Sequence, residues 1–231
     1  MNINFLDKKI KIPFGKCSSD DSFLEKLLEM LPVDTRVVEV GCHKGFFTKQ
    51  IMKKFKSSSC TFFEGDRKNF LDLKNHIDKT VNIYNVVLYN EQKKLKWYSA
   101  GGLSCLKMPL EMPNLDIVSV SNYMVETDTL DEVAKPFDFI KIDAEGSDFN
   151  ILQGSKKLIK ENKPLIYFEY TGKISAGIHG YNLEKFISFF EDINYDLYFR
   201  DGTYFSTNHW TSSTEDLNNI LAIPKDYTDS L

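Results

Sequence analysis

Four short apolar runs in this chain each carry or run into a carboxylate. Val37, Val38 and Val40 flank Glu39, CTFFEGD reaches Glu64, FDFIKI runs into Asp143 and Glu145, and PLIYFEY contains Glu169. The third is apolar on both faces and the fourth reads as buried, as central parallel strands are. Each of the first three is followed by an amphipathic pattern of helical period. Runs that alternate with helices in this way imply an open parallel sheet, whose carboxyl-terminal strand ends share one rim where ligands bind. The four acids are therefore predicted to gather on that rim. Like charges there repel, so the pattern favours a site for a cationic or hydroxyl-rich ligand over chance placement.

The first run belongs to Arg36–Phe47, RVVEVGCHKGFF, which reads as a strand, a glycine turn and a helix continuing to Phe55. Gly41 suits a positive φ, and Gly45 lets the backbone approach whatever lies at the helix start. The spacing is G-x-x-x-G, whereas three glycines serve a dinucleotide pyrophosphate. A carboxylate at Glu39 would repel phosphate and suits an ammonium or sulfonium group. Glu64 follows Gly41 by 23 residues, at the tip of the next strand. An acid there is placed to accept hydrogen bonds from the two hydroxyls of a ribose, the other reading being an exposed loop carboxylate.

The remaining chain reads as one domain of 231 residues with additions. Residues 1–34 are expected to form a strand, a loop and a helix capped at Ser19, Asp20 or Asp21, acting as a cover for the sheet or as a lid. A helix is predicted over Arg67–Ile77, and a single strand over Val81–Asn90. Residues 91–127 alternate, with Gly101 and Gly102 adjacent, and IVSV and YMVET read as short strands. They are either an inserted hairpin flap beside the site or a meander extending the sheet. After Asp143–Gly146 a helix is expected to carry Phe149, Leu152, Leu158 and Ile159 inward, with Gly154 at mid-helix for close packing on the sheet. A helix over Asn182–Glu191, a strand at NYDLYFR, a loop with His209 and Trp210, and a final strand NNILAIP complete the chain.

Bulk properties narrow the function classes. A net charge of −4 gives no basic field to attract nucleic acid. Cys17, Cys42, Cys60 and Cys105 form no C-x-x-C pair, which fits reduced thiols and a cytoplasmic setting. No apolar run approaches the ~20 residues of a membrane span, so a soluble protein without membrane partners is expected.

The sequence resembles the FkbM-type S-adenosylmethionine-dependent methyltransferases. The matching pieces are VVEVGCHKGFFT, FFEGDRKN, LSCL, TDTLDEV, FIKIDAEGSDFNILQG, YFEY and NILAIP. Gly65 stands where that family commonly has proline, and Ser147-Asp148 where Ala-Glu is usual. The resemblance implies an α/β fold of Rossmann-like class I type, with a seven-stranded, mostly parallel sheet and helices on both faces. It implies S-adenosyl-L-methionine held by Glu39, Gly41, Cys42, His43, Gly45, Phe46, Glu64 and Gly65. It further implies O-methylation of a hydroxyl on a sugar or other small-molecule or glycan acceptor. Such a transfer needs a proton acceptor near the hydroxyl. Asp143 is the first candidate, with Glu145 and Glu169 in reserve. Asp143 could instead hold Mg²⁺ or tie down its own loop. A nicotinamide oxidoreductase or a catalytically silent binding partner would use the same sheet.

Overall fold

The computed structural model describes residues 1–78, 80–99, 104–106, 121–211 and 219–228. The β-branched run expected first forms β3 (Val37–Val40), buried throughout. Parallel neighbours are β4 (Cys60–Phe63) on one side and β9 (Phe139–Ile142) on the other. Outward from these lie β5 (Asn82–Tyr84) and β10 (Leu165–Glu169). β12 (Asn219–Pro224) enters antiparallel beside β10, and β11 (Tyr195–Phe199) pairs antiparallel with β12. The order is β11-β12-β10-β9-β3-β4-β5, a seven-stranded mixed sheet of Rossmann-like class I type. The chain reverses sheet direction on either side of β3, the switch point at which ligands sit.

Two cores sandwich the sheet. On one face, Phe23, Leu24, Leu27 and Leu28 of α1 (Asp20–Met30) join Val37, Phe62, Phe139 and Tyr167. Ser19 caps this helix in a reciprocal box with Ser22. A hairpin of β1 (Asn2–Phe5) and β2 (Lys8–Lys11) adds Ile3, Phe5 and Ile10 to the same cluster, so the amino-terminal region covers a face of the sheet. On the other face, Phe186, Phe189 and Phe190 of α8 (Leu183–Ile193) pack with Phe149, Phe168 and Ile140. At the amino ends of β3 and β9, Asp138 accepts from the Arg36 backbone N–H at 2.8 Å and from its guanidinium at 2.6 and 3.0 Å.

Two expected elements differ. Val81–Asn90 is not one strand, because Asn85 donates its amide to the carbonyls of Glu64 and Gly65 at 2.8 and 3.0 Å and turns the chain out of the sheet. Val87–Leu88 then forms β6, which pairs with β8 (Ser121–Asp128), itself antiparallel to β7 (Lys94–Ser99). This is a separate three-stranded sheet. IVSV and Gly101–Gly102 lie outside the described residues. The helix expected through Gly154 is two helices, α5 (Asp148–Gln153) and α6 (Lys156–Asn162). A Cβ at Gly154 would lie 2.2 Å from the Tyr89 carbonyl oxygen, so its close contact is with the segment after β6. A further helix, α7 (Lys173–His179), lies between β10 and α8.

Candidate active site

The turn after β3 has Gly41 at φ +81° and Gly45 at φ +78°, conformations that L side chains rarely adopt. A Cβ on Gly41 would sit 1.7 Å from the Asp143 carbonyl oxygen, and one on Gly45 2.3 Å from Leu73. Both glycines thus let the turn nest against neighbouring elements before α2 (Phe46–Lys54) begins. His43 is left-handed at φ +47°. Its N–H donates to Glu64 Oε2 at 2.6 Å, while the Asp66 N–H donates to Oε1 at 2.8 Å. Glu64 is thereby fixed in orientation with lone pairs to spare. Burial pushes its pKa up to about 7, against these two hydrogen bonds. Asp66 caps α3 (Arg67–His76) and accepts from Ser99 of β7 and from Ser104, at 2.5 and 3.0 Å.

These loops open onto a cavity enclosing about 680 Å³ of atom-free space, part of it open to solvent. Of the predicted site residues, Gly41, His43, Glu64, Gly65, Asp143 and Glu145 line it. Val86, Val87, Leu88, Trp97, Leu106 and Ile151 supply apolar wall. Gly65 leaves room for Trp97, whose ring would lie 3.0 Å from a Cβ there.

Five predicted residues stand outside the wall of this cavity, Glu169 among them. Cys42 is buried in the core, its thiol facing the carbonyls of Glu39 and Phe63. Phe46 is 60% exposed and packs edge-on against Phe47. Gly45 acts through the Leu73 contact. Glu39 is only 1% exposed and is occupied inside the protein, accepting from Thr48 Oγ1 at 2.7 Å with Lys141 Nζ at 3.7 Å. Burial raises its pKa, with Lys141 and Thr48 acting in the opposite direction.

Lys141, inside β9, is a buried charge that the strand pattern alone does not single out. It lies directly across from Glu39 in the β3–β9 register and reaches Asp143 Oδ2 at 3.2 Å. Burial works against its charge, but Asp143 and Glu39 outweigh it and raise the pKa. The signal was a lysine inside an otherwise apolar strand, since a buried ammonium requires carboxylate partners. Its side chain is 5% exposed, whereas that of Asp143 is 44% exposed.

Beyond Asp143, the loop is held by Asp148, which accepts from the N–H groups of Ala144 and Gly146 at 3.3 and 3.2 Å. Glu145 is left-handed at φ +50°, and Gly146 follows at φ +92°. Burial, then the neighbouring Glu169 and Asp143, push the Glu145 pKa up to about 8. Glu169 rises to about 8 through burial and the charges of Asp148 and Asp143. It faces a smaller adjoining cavity with Asp148, Tyr170 and Tyr181. Among the described residues no group of three or more His, Cys, Asp or Glu is arranged to hold a metal ion.

The sequence matches the methyltransferase FkbM domain over residues 39–197, more than half of the chain. The chain belongs to this methyltransferase family. No curated protein matches it. Among solved structures, methyltransferase FkbM from Methylobacillus flagellatus KT aligns with a TM-score of 0.52 at 17% identity, covering 84% of this chain and 45% of that one. The chain thus spans less than half the length of that protein. An O-methyltransferase from Bacillus cereus in complex with SAH aligns with a TM-score of 0.45 at 16% identity, covering 93% and 84% of the two chains. Family membership sets aside the nicotinamide reading. No helix among the described residues is long and apolar enough to cross a membrane.

Proposed function

We propose that this FkbM-family chain transfers a methyl group from S-adenosylmethionine to a hydroxyl oxygen of a sugar or other small-molecule or glycan acceptor. The observation that carries this is the composition of one cavity, with Glu64 on one side and Asp143 and Glu145 on the other. When bound, S-adenosylmethionine supplies a methyl group activated by its sulfonium. A cation, a ribose and no phosphate fit a wall whose ionisable groups include three carboxylates. Glu64, oriented by two backbone N–H groups, accepts from the ribose hydroxyls. Asp143, ion-paired to Lys141, presents a fixed carboxylate to the cationic end. Glu145 is the proton acceptor, because burial gives it the affinity for a proton that a base working near neutrality needs. The apolar walls exclude water and hold donor and acceptor in line, where most of the rate is gained. Crowded acids on the same rim disfavour anionic acceptors.

Methyl-labelled S-adenosylmethionine, incubated with the protein and a panel of monosaccharides, glycans and small alcohols, tests this by mass spectrometry. Label is expected on a hydroxyl oxygen, with a rate rising towards pH 8 as Glu145 loses its proton. Glu145→Gln should lower the rate about 10² to 10⁴-fold, while Asp143→Asn should weaken cofactor binding. EDTA has no effect on this scheme. Loss of activity with EDTA and its return with Mg²⁺ would assign Asp143 to a metal instead, and binding without any transfer would mark a silent partner.

A further inference from the structure

The smaller cavity lies at the carboxyl end of β10, encloses about 200 Å³ of atom-free space and is not used by the proposed transfer. Phe168 is in register with Ile142, so Glu169 stands level with Asp143 one strand over. Gly146 and Asp148, from the loop after β9, line the same cavity, while Glu145 of that loop lines the larger one. Phe149, Tyr170, Tyr181 and Phe186 surround it with rings, the Phe149 and Tyr181 centroids being 4.7 Å apart. Among the described residues that line it there is no lysine or arginine.

The acids here are short of a cation. Lys141 is engaged by Asp143 and Glu39, and among the described residues Glu145, Asp148 and Glu169 make no ion pair. Asp148 is satisfied by the neutral N–H groups of Ala144 and Gly146, but Glu169 Oε2 is buried and meets no donor. A carboxylate so placed needs a charged partner or a proton. Burial and the charges of Asp148 and Asp143 keep the proton on Glu169 up to about pH 8, and a cation beside it would draw that proton off. An ammonium meets both features of the cavity, donating to the carboxylate and attracted by the rings. Glu169 also raises the Glu145 pKa, so the two carboxylates are close enough to feel each other. Their strands lie about 5 Å apart, the scale that separates a hydroxyl from the amine within one amino sugar.

We infer that the acceptor is a hydroxyl compound that also carries a protonated amine, as an amino sugar does, and that Glu169 holds the ammonium while the hydroxyl faces Glu145. This rests on the proposed methyl transfer and narrows its substrate class. The ammonium keeps its proton, so its nitrogen has no lone pair to compete with the oxygen for the methyl group. Methyl-labelled S-adenosylmethionine is incubated with the protein and glucosamine, galactosamine or 2-aminoethanol, each beside its N-acetyl form, and tandem mass spectrometry locates the label. At least one amine is expected to be methylated on oxygen with kcat/KM about tenfold to hundredfold above its N-acetyl form. Glu169→Gln should reduce that preference about tenfold or more. Equal rates for amine and N-acetyl form, label on nitrogen, or no transfer to any amine by a protein that binds S-adenosylhomocysteine in calorimetry overturns the amine subsite alone. A protein that neither transfers label nor binds S-adenosylhomocysteine removes the methyltransferase reading as well. Urea unfolding checks that the variant is folded, and the wild-type comparison of each amine with its N-acetyl form decides the matter if it is not.

Discussion

Lys141→Met removes the cation that balances Glu39 in the interior. Glu39 is 1% exposed, and the Lys141 side chain is 5% exposed, so neither charge has water to fall back on. Breaking one side of a buried pair leaves an uncompensated charge, which destabilises by about 3–5 kcal/mol. The remaining hydrogen bond from Thr48 to Glu39 offsets a fraction of that. Glu39 can escape by taking up a proton, and this gives the effect a pH signature. Burial already raises the Glu39 pKa in the folded protein, and loss of Lys141 raises it further. Between the unfolded value and that raised folded value, the folded state holds the extra proton, so its stability falls as pH rises. The deficit of the variant should therefore be larger at about pH 8 than at about pH 5. Urea unfolding followed by circular dichroism at the two pH values measures it. The double variant Glu39→Gln/Lys141→Met should regain most of the loss, because a neutral pair leaves no uncompensated charge in the interior. A Lys141→Met protein within about 1 kcal/mol of wild type, or a double variant no more stable than the single one, would refute the reasoning.

Glu64→Gln keeps the packing but gives up the charged acceptor, and should weaken S-adenosylhomocysteine binding by about 1.5–3 kcal/mol in calorimetry; unchanged affinity would remove Glu64 from the ribose. Asp66→Ala deletes the cap of α3 together with the anchor of Ser99 and Ser104, so urea unfolding should show a loss of at least about 1 kcal/mol. The same substitution should raise amide exchange in β7, and protection equal to wild type would show that the small sheet is held by other contacts.

The sheet was legible in the sequence because its period and its punctuation agreed. Val37–Val40, Cys60–Phe63 and Phe139–Ile142 each announced a strand, and the acids after the second and third line one cavity, whereas Glu39 is buried within its strand and Glu169 faces a separate cavity. The glycine turn was placed correctly, but the work of its glycines is packing against Asp143 and Leu73. A substitution at Gly41 consequently disturbs the fold as well as any ligand. The path after Tyr84 was not legible, since the propensity of VNIYNVVLYN says nothing of a side-chain amide reaching back to Glu64 and Gly65. Lys141 was hidden for a related reason. Its partners, Glu39 and Asp143, lie on another strand and beyond the strand end, so its meaning depends on register.

Gly154 lies at the end of α5, outside the cavity wall, yet it sets a tolerance there. The hydrogen it carries in place of a methyl group lets the Tyr89 carbonyl come within 2.2 Å of where a Cβ would stand. Tyr89 directly follows β6, and β6 is part of the apolar wall. One added carbon at Gly154 would act as a shim between α5 and the segment after β6, pressing β6 away from the helix that carries Ile151 and widening the gap between these two parts of the wall. The separation of the two walls is thus gauged by a residue that belongs to neither.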